Sequence, residues 1–330
     1  MAITLADIKK LREMTSAGMM DCKNALTEAE GDFKRAVEIL REKGKSTLAK
    51  RGDNETTQGA VLSRINGGKA ILVCLGCETD FVAATPDFKA LAGSIADAAI
   101  ASFPADLEAL KAVKAADGYT LDENITNQAG KTGEKHVLAF YGALEAPFVS
   151  EYVHFNGKLG AIVSFNKVVP ADIARGIAMQ VASMNPVAVD PASVPAEVLE
   201  SEKTVAIQKT RDEMVQKAVD AALKKVGINP AHVDSEDHIE SNTAKGWLTA
   251  EQANQAREII KTVGAEKAAS LPEQMIQNIA NGRVQKFLKE NTLVEQEYQL
   301  SDDKQTVGAA LAAADKEAKV LAFKRFSLND

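Results

Sequence analysis

Cys74 and Cys77 are the first residues whose types and spacing could do chemistry. A Cys-x-x-Cys pair either exchanges electrons as a dithiol or supplies half of a zinc site. Zinc asks for four ligands. The chain offers one further cysteine, Cys22, and four scattered histidines at 136, 154, 232 and 238. A redox pair usually opens a helix, where the dipole stabilises a thiolate. This pair instead ends "AILVCLGC", which reads as a buried strand. Two small buried hydrophobes is the better reading, with a thiol oxidoreductase as its rival. "GKST" at 44–47 imitates the end of a phosphate-binding loop, but the glycine such a loop needs five residues earlier is Ile39. A helix precedes it, so Gly44 reads as a helix stop. G-x-S-x-G, H-E-x-x-H and G-x-G-x-x-G are all missing. No catalytic residue, metal or cofactor is expected.

Recognition chemistry is the alternative. "CETDFVAATPDF" places Thr79, Asp80, Phe81 and Val82 after a strand that finishes at Cys77 and before a helix that starts at Pro86. A connecting loop is normally polar, yet Phe81 and Val82 are apolar. They either tuck under the following helix or protrude. Met19 and Met20 pose the same question. Adjacent helical residues diverge by about 100°. The stripe Cys22, Ala25, Leu26 and Ala29 extrapolates back to Met19, so Met20 points away from it. An exposed methionine suits a protein contact; packing on the next domain is the other outcome.

The composition favours a protein partner. The chain has 330 residues, 45% hydrophobic and 26% charged, with a formal net charge of −7. Phosphate backbones require clustered Lys and Arg, so direct nucleic-acid binding is not expected. The first 20 residues are amphipathic and charged, unlike a secretory signal. No apolar run reaches the ~18 residues of a membrane span. Few cysteines without a signal fit a reducing cytoplasm, so the expected location is cytoplasmic.

Several elements must position these residues. Residues 1 to about 48 read as three short helices. Thr4 caps the first with Asp7 as its capping-box partner, and Leu5, Ile8 and Leu11 form its stripe. "TSAG" at 15–18 breaks the pattern, and Gly31 ends the second helix. Asp32 caps the third, striped by Phe33, Val37 and Leu40. Residues 44–59 read as a linker or frayed helix end. "AVLSRINGGKAILVCLGC" reads as a hairpin turning at Asn66-Gly67, followed by a helix from Thr85-Pro86 to about Ala101. The order returns at 148–165, a hairpin turning at Asn156-Gly157, and then a helix that opens at Pro170 and stops before Pro186. One α+β unit used twice, about ninety residues apart, explains both. From about 195 to 290 the pattern is long, charged and helical, serving dimerisation, partner contact or core packing. The tail predicts a short helix and a final strand, "VLAFKRFSL".

Taken together these motifs resemble a family. "MTSAGMMDCKNALTEAEGDFKRAVEILREKG" is similar to the amino-terminal module of bacterial elongation factor Ts, and "CETDFVAATPDF" to its T-D-F-V signature. "IARGIAMQVASMNP" resembles a helix of its second core subdomain, and "KQTVGAALA" its carboxy-terminal module. The resemblance implies an α+β protein. Its expected parts are a ubiquitin-associated-like three-helix domain at about 1–54, a core N-subdomain at 55–146, and a core C-subdomain at 147–300. A projecting helical hairpin is expected as an insertion at about 195–275, and a C-terminal module at 301–330.

The implied function is guanine-nucleotide exchange on elongation factor Tu in translation elongation, by binding and without catalytic chemistry. The factor would engage both GDP-bound and nucleotide-free partner, as a homodimer or two-plus-two assembly through its helical region. Phe81 becomes an intruding wedge, with Asp80, Thr79 and Val82 beside it, that disturbs the partner's magnesium site. Met19 and Met20 become contacts of the amino-terminal module. Gln180 stands where some members carry a histidine contact. Residues about 210–267, with Trp247 and "DSEDHIES", extend beyond the common family length. A binding adaptor built on the three-helix module alone is a further rival.

Overall fold

The fold begins with three helices, α1 (Leu5–Thr15), α2 (Met19–Glu28) and α3 (Phe33–Lys50). It is seen in a computed structural model that describes residues 3–15 and 17–329. Ser16, inside the expected "TSAG" break, lies outside the described residues. Thr4 and Asp7 close the predicted capping box, with Thr4 N donating to Asp7 Oδ2 at 2.9 Å and Asp7 N to Thr4 Oγ1 at 3.2 Å. Ile8 and Leu11 are buried with Cys22, Ala25, Leu26, Ala36 and Val37, whereas Leu5 is exposed on the first turn. Gly31 ends α2 in the left-handed region at φ +88°, and Asp32 caps α3 through the N–H groups of Lys34 and Arg35.

Gly44 does not stop α3, which continues to Lys50. The reason lies in the next layer. The first hairpin is β1 (Gln58–Asn66) and β2 (Lys69–Cys77), with Asn66 paired to Lys69 so that Gly67 and Gly68 are the central turn residues. It is followed by α4 (Asp80–Ala83), α5 (Pro86–Ser102), α6 (Leu107–Lys111), α7 (Leu121–Thr132) and β3 (His136–Glu145). Helix α7 crosses α3 at a pair of glycines. A Cβ on Gly44 would lie 2.2 Å from the Thr126 carbonyl oxygen, and one on Gly130 would lie 3.1 Å from Gly44 Cα. Gly44 is therefore a close-approach residue inside a helix, not a terminator.

The second hairpin, β4 (Phe148–Val153) and β5 (Leu159–Phe165), leads into α8 (Ala171–Met184), which ends at a left-handed Asn185. After it come α9 (Ala196–Lys225), α10 (Glu236–Ala244), α11 (Ala250–Ala269) and α12 (Glu273–Asn291). The chain closes with α13 (Val307–Ala314) and β6 (Val320–Ser327). Two antiparallel three-stranded sheets result, ordered β1-β2-β3 and β4-β5-β6, each with the second hairpin strand central. The sequence carries no prediction for α6, α7 or β3.

The chain forms two compact units. The first holds everything up to Val189 together with Leu293 onward; the second is Asp190–Thr292. In the first unit β2 is buried along its length. Ile71, Val73, Leu75 and Cys77 pack with Phe88, Ile95, Leu121 and Leu138 under the helices. Ala70, Leu72 and Cys74, on its other face, meet Val149 and Ile162 of the second sheet. Phe140 stacks on Phe326 across this contact at 4.9 Å. The outer face of the second sheet is covered by α8 and α13 through Val163, Phe165, Ile177, Val181, Val307 and Leu311. In the second unit, Val219, Leu223, Ile228, Val233, Ile239, Leu248 and Ala256 form a separate core.

The α3–α7 crossing makes a prediction whose sign is informative. Gly44→Ala is expected to destabilise by about 1–3 kcal/mol through overpacking against backbone. Gly93→Ala in α5, where an added Cβ meets nothing within 4 Å, should stabilise by about 0.5–1 kcal/mol. Thermal or urea unfolding of the two variants checks this; stabilisation by both would deny the close crossing.

Candidate functional site

The segment between Cys77 and Pro86 is a helical turn rather than the predicted irregular loop. Thr79 caps it, its hydroxyl accepting from Val82 N at 3.4 Å. Ala83 N donates to Thr79 O at 3.2 Å and Ala84 N to Asp80 O at 2.9 Å. Thr85 then caps α5 through Phe88 N at 3.3 Å, with Pro86 in the first turn. The two caps, six residues apart, leave room for one turn between them. Helical geometry divides its side chains. Val82 and Ala83 pack on the first core. Asp80 and Phe81 face outward, and Phe81 is 83% exposed. Burying a phenylalanine is favourable by about 1.5–3 kcal/mol, so an uncovered one on an anchored turn is suited to a partner.

The cysteine pair below this turn is buried. Residues three apart on a strand face opposite sides, and Cys74 and Cys77 belong to different cores. Both are buried free thiols. Burial pushes Cys74 up to about 12 and Cys77 to about 12, the latter also raised by the nearby Glu134 carboxylate. Neither supplies a thiolate at neutral pH. Cys77 Sγ instead donates to Thr79 O at 3.3 Å, bracing the turn. Among the described residues no group of three or more His, Cys, Asp and Glu could hold a metal ion. No described helix is long and apolar enough to cross a membrane.

The other expected contact residues divide. Met20 is 64% exposed, while Met19 packs partly into the three-helix core. Gln180 is 1% exposed. Its Nε2 donates to Gln296 Oε1 and Glu297 O, both at 3.2 Å, and its Oε1 accepts from Gln299 N at 3.1 Å. A buried amide making three internal bonds holds the 296–299 segment on α8. Sequence reasoning missed Phe155, which is 93% exposed at the tip of the second hairpin beside His154. An aromatic immediately before the Asn-Gly signal at 156–157 was the available clue, since turn tips are seldom buried.

The α+β frame thus leaves an aromatic on a capped turn and a methionine exposed, with its cysteines buried. The comparisons with known proteins give the family. The family model for elongation factor Ts matches residues 78–228 and 217–330. The elongation factor Ts of Bacteroides thetaiotaomicron is 54% identical over 329 residues, covering 99% of each chain. That of Porphyromonas gingivalis is 37% identical, covering 100% of this chain and 99% of its own. That of Christiangramia forsetii is 34% identical, covering 99% and 98%. The chain belongs to the elongation factor Ts family. Because these alignments span nearly the full length of both partners, the extended helical region is not an addition peculiar to this chain.

The thiols generate a prediction. In the native chain at pH 7–8 none of the three cysteines should react rapidly with an aromatic disulfide reagent, and all three should react after denaturation. A fast native thiol, or reduction of insulin by the chain, would restore the redox reading.

Proposed function

We propose that the chain is a guanine-nucleotide exchange factor for elongation factor Tu, acting in translation elongation by binding alone. Family membership supports the activity, and the observation that carries the mechanism is Phe81, uncovered on a turn fixed from below. Such a factor needs no catalytic group. It must bind the nucleotide-free GTPase more tightly than the nucleotide-bound one, and by linkage nucleotide and factor then weaken each other equally. The nucleotide is held by charge-assisted contacts to phosphate and magnesium, so an intruding side chain there is an effective lever.

In this reading Phe81 inserts between elements of the partner and Asp80 competes for the magnesium surroundings. Thr79 and Val82 hold the pair in place, one as cap and the other as core contact. The three-helix module anchors the partner through Met20, with Met19 supporting it from inside. Phe155 extends the contact surface on the second sheet. Gln180 contributes only indirectly, by fixing the 296–299 segment.

Two variants test this reading. Phe81→Ala is expected to keep its melting temperature within a few degrees of the parent. Stimulated release of fluorescent GDP should fall by the equivalent of ~2 kcal/mol or more, about thirtyfold. A large loss of stability with exchange intact per folded molecule would make Phe81 a core residue. Met20→Asp should weaken association with the GTPase while leaving the melting curve in place; unchanged affinity would remove Met20 from the contact.

A further inference from the structure

We infer that Glu134 and Glu78 are positioning residues for the exchange step, forming a reciprocal carboxylate clamp that sets the Asp80–Phe81 turn against the end of the three-helix module. The inference rests on the reading of Phe81 as the partner-facing group.

Phe81 makes almost no internal contact, so its direction is set by the turn that carries it. One helical turn has too few hydrogen bonds to hold itself. Its anchors must do so. Beyond the packing of Val82 and Ala83, those anchors are Thr85 at its end, whose N–H and hydroxyl donate to Val82 O at 3.0 and 2.8 Å, and Thr79 at its start. Glu134, one residue past the left-handed Gly133 that ends α7, reaches Thr79 with both oxygens. Oε1 accepts from the Thr79 hydroxyl at 2.6 Å and Oε2 from the Thr79 N–H at 3.1 Å. A hydroxyl has a single proton. Committing it to Glu134 leaves a lone pair for Val82 N, which is the cap bond. Without the carboxylate the hydroxyl is free to rotate and donate elsewhere, and the cap weakens.

Glu78 works in the opposite direction. Its Oε1 accepts from Lys135 N at 2.6 Å. The two stretches 78–79 and 134–135 therefore exchange carboxylates, each giving a backbone N–H to the other's side chain. Oε2 of Glu78 accepts from Arg51 Nη1 and Asn54 Nδ2, both at 2.7 Å. Lys135 Nζ closes the ring on the same segment, donating to Gly52 O at 2.6 Å and Asn54 O at 2.9 Å. Arg51 is the residue that ends α3. One polar hub thus ties the module that carries Met20, the turn that carries Phe81 and the start of β3. Charge-assisted bonds of this kind are roughly twice as strong as neutral ones. Burial alone would raise the Glu78 carboxyl, yet hydrogen bonds from Lys135 and Asn54 and the Arg51 charge hold it below its ordinary value.

The consequence is kinetic. Initial docking by the module should not depend on the turn, whereas insertion of Phe81 does. A loosened turn must be ordered during insertion, at a cost per immobilised group that corresponds to roughly threefold to tenfold in rate. The test uses the full chain and GDP-loaded elongation factor Tu. Glu134→Gln keeps the shape, but its amide nitrogen cannot accept a hydrogen bond. Thr79→Val removes the hydroxyl at similar volume, and Thr79→Ser retains it. Fluorescent GDP release is measured against factor concentration, with melting curves and hydrogen exchange of the amides at 80–83 in the free protein. Glu134→Gln and Thr79→Val should each lower the maximal rate about threefold to tenfold. The half-saturating concentration should stay within about twofold, the 80–83 amides should exchange faster, and Thr79→Ser should recover most of the rate. Adding Phe81→Ala to Glu134→Gln should cost less than Phe81→Ala alone, because the two act through one element.

If Phe81→Ala impairs exchange but Glu134→Gln and Thr79→Val do not, the clamp is overturned and the wedge stands. If Phe81→Ala has no effect while the amides are deprotected by Glu134→Gln, the wedge reading fails and the role of the clamp in exchange fails with it. Fully multiplicative effects of Glu134→Gln and Phe81→Ala would likewise overturn the inference. So would a fall in rate accounted for wholly by unfolded protein in both Glu134→Gln and Thr79→Val.

Discussion

Everything in the first unit depends on β2 being buried on both faces. A strand of Ala70, Ile71, Leu72, Val73, Cys74 and Leu75 has no side to offer water. It is stable only between two apolar layers, with helices on one face and a second sheet on the other. That constraint orders the layers from α5 and α7 through both sheets to α8 and α13. It also decides the chemistry of the cysteines, which the alternation of the strand sends into different cores. Where β2 ends, the double burial ends, and Glu78 and Thr79 mark the change from apolar to polar. The candidate site lies at this edge, where a rigid interior meets the surface.

Attachment of the three-helix module follows a different logic. Its own core is small, built from alanines, Leu11, Cys22 and Leu26. It is joined to the first subdomain by close backbone approach, by Tyr119 packing on its core under Arg41, and by charged side chains. Gly44 and Gly130 let α3 and α7 approach closely, and Arg41 reaches Glu123 at 2.8 Å beside that crossing. The extension of α3 past Gly44 brings Arg51 and Asn54 to the base of the Phe81 turn. Met20 and Phe81 are thus carried by elements that share a frame, as the proposed reading requires.

The proposed exchange by binding would place particular demands on a surface. The groups that act must be uncovered, which costs burial energy, and must be held, because any ordering on association subtracts from affinity. Phe81 meets the first demand. The Thr79 cap, the packing of Val82 and the carboxylates of Glu78 and Glu134 meet the second. The thiols, which are the most chemical residues by type, lie in the frame and not on its rim.

The sequence by itself determined the local elements whose signals are short-range. Thr4 with Asp7, Asp32, Thr85 with Pro86, Gly31 and the two Asn-Gly turns act within a few residues, so helix starts, one helix end and both hairpins were legible. Met20 was legible too, since helical spacing alone separates it from its neighbours' stripe. Residues whose roles depend on distant partners were not. Gly44 looks like a stop until α7 is seen to cross it. β3 depends on β2 as its pairing partner, whereas α7 does carry short-range signals, the Thr120–Glu123 capping box and the left-handed Gly133. Gln180 sits on an apolar helix, and only the 296–299 segment, more than a hundred residues away, accounts for its burial. The sequence could not decide whether Phe81 was core or surface, because a single aromatic after a strand is compatible with both. Tertiary structure decided it through the Thr79 cap, which sends Val82 inward and leaves Phe81 outside.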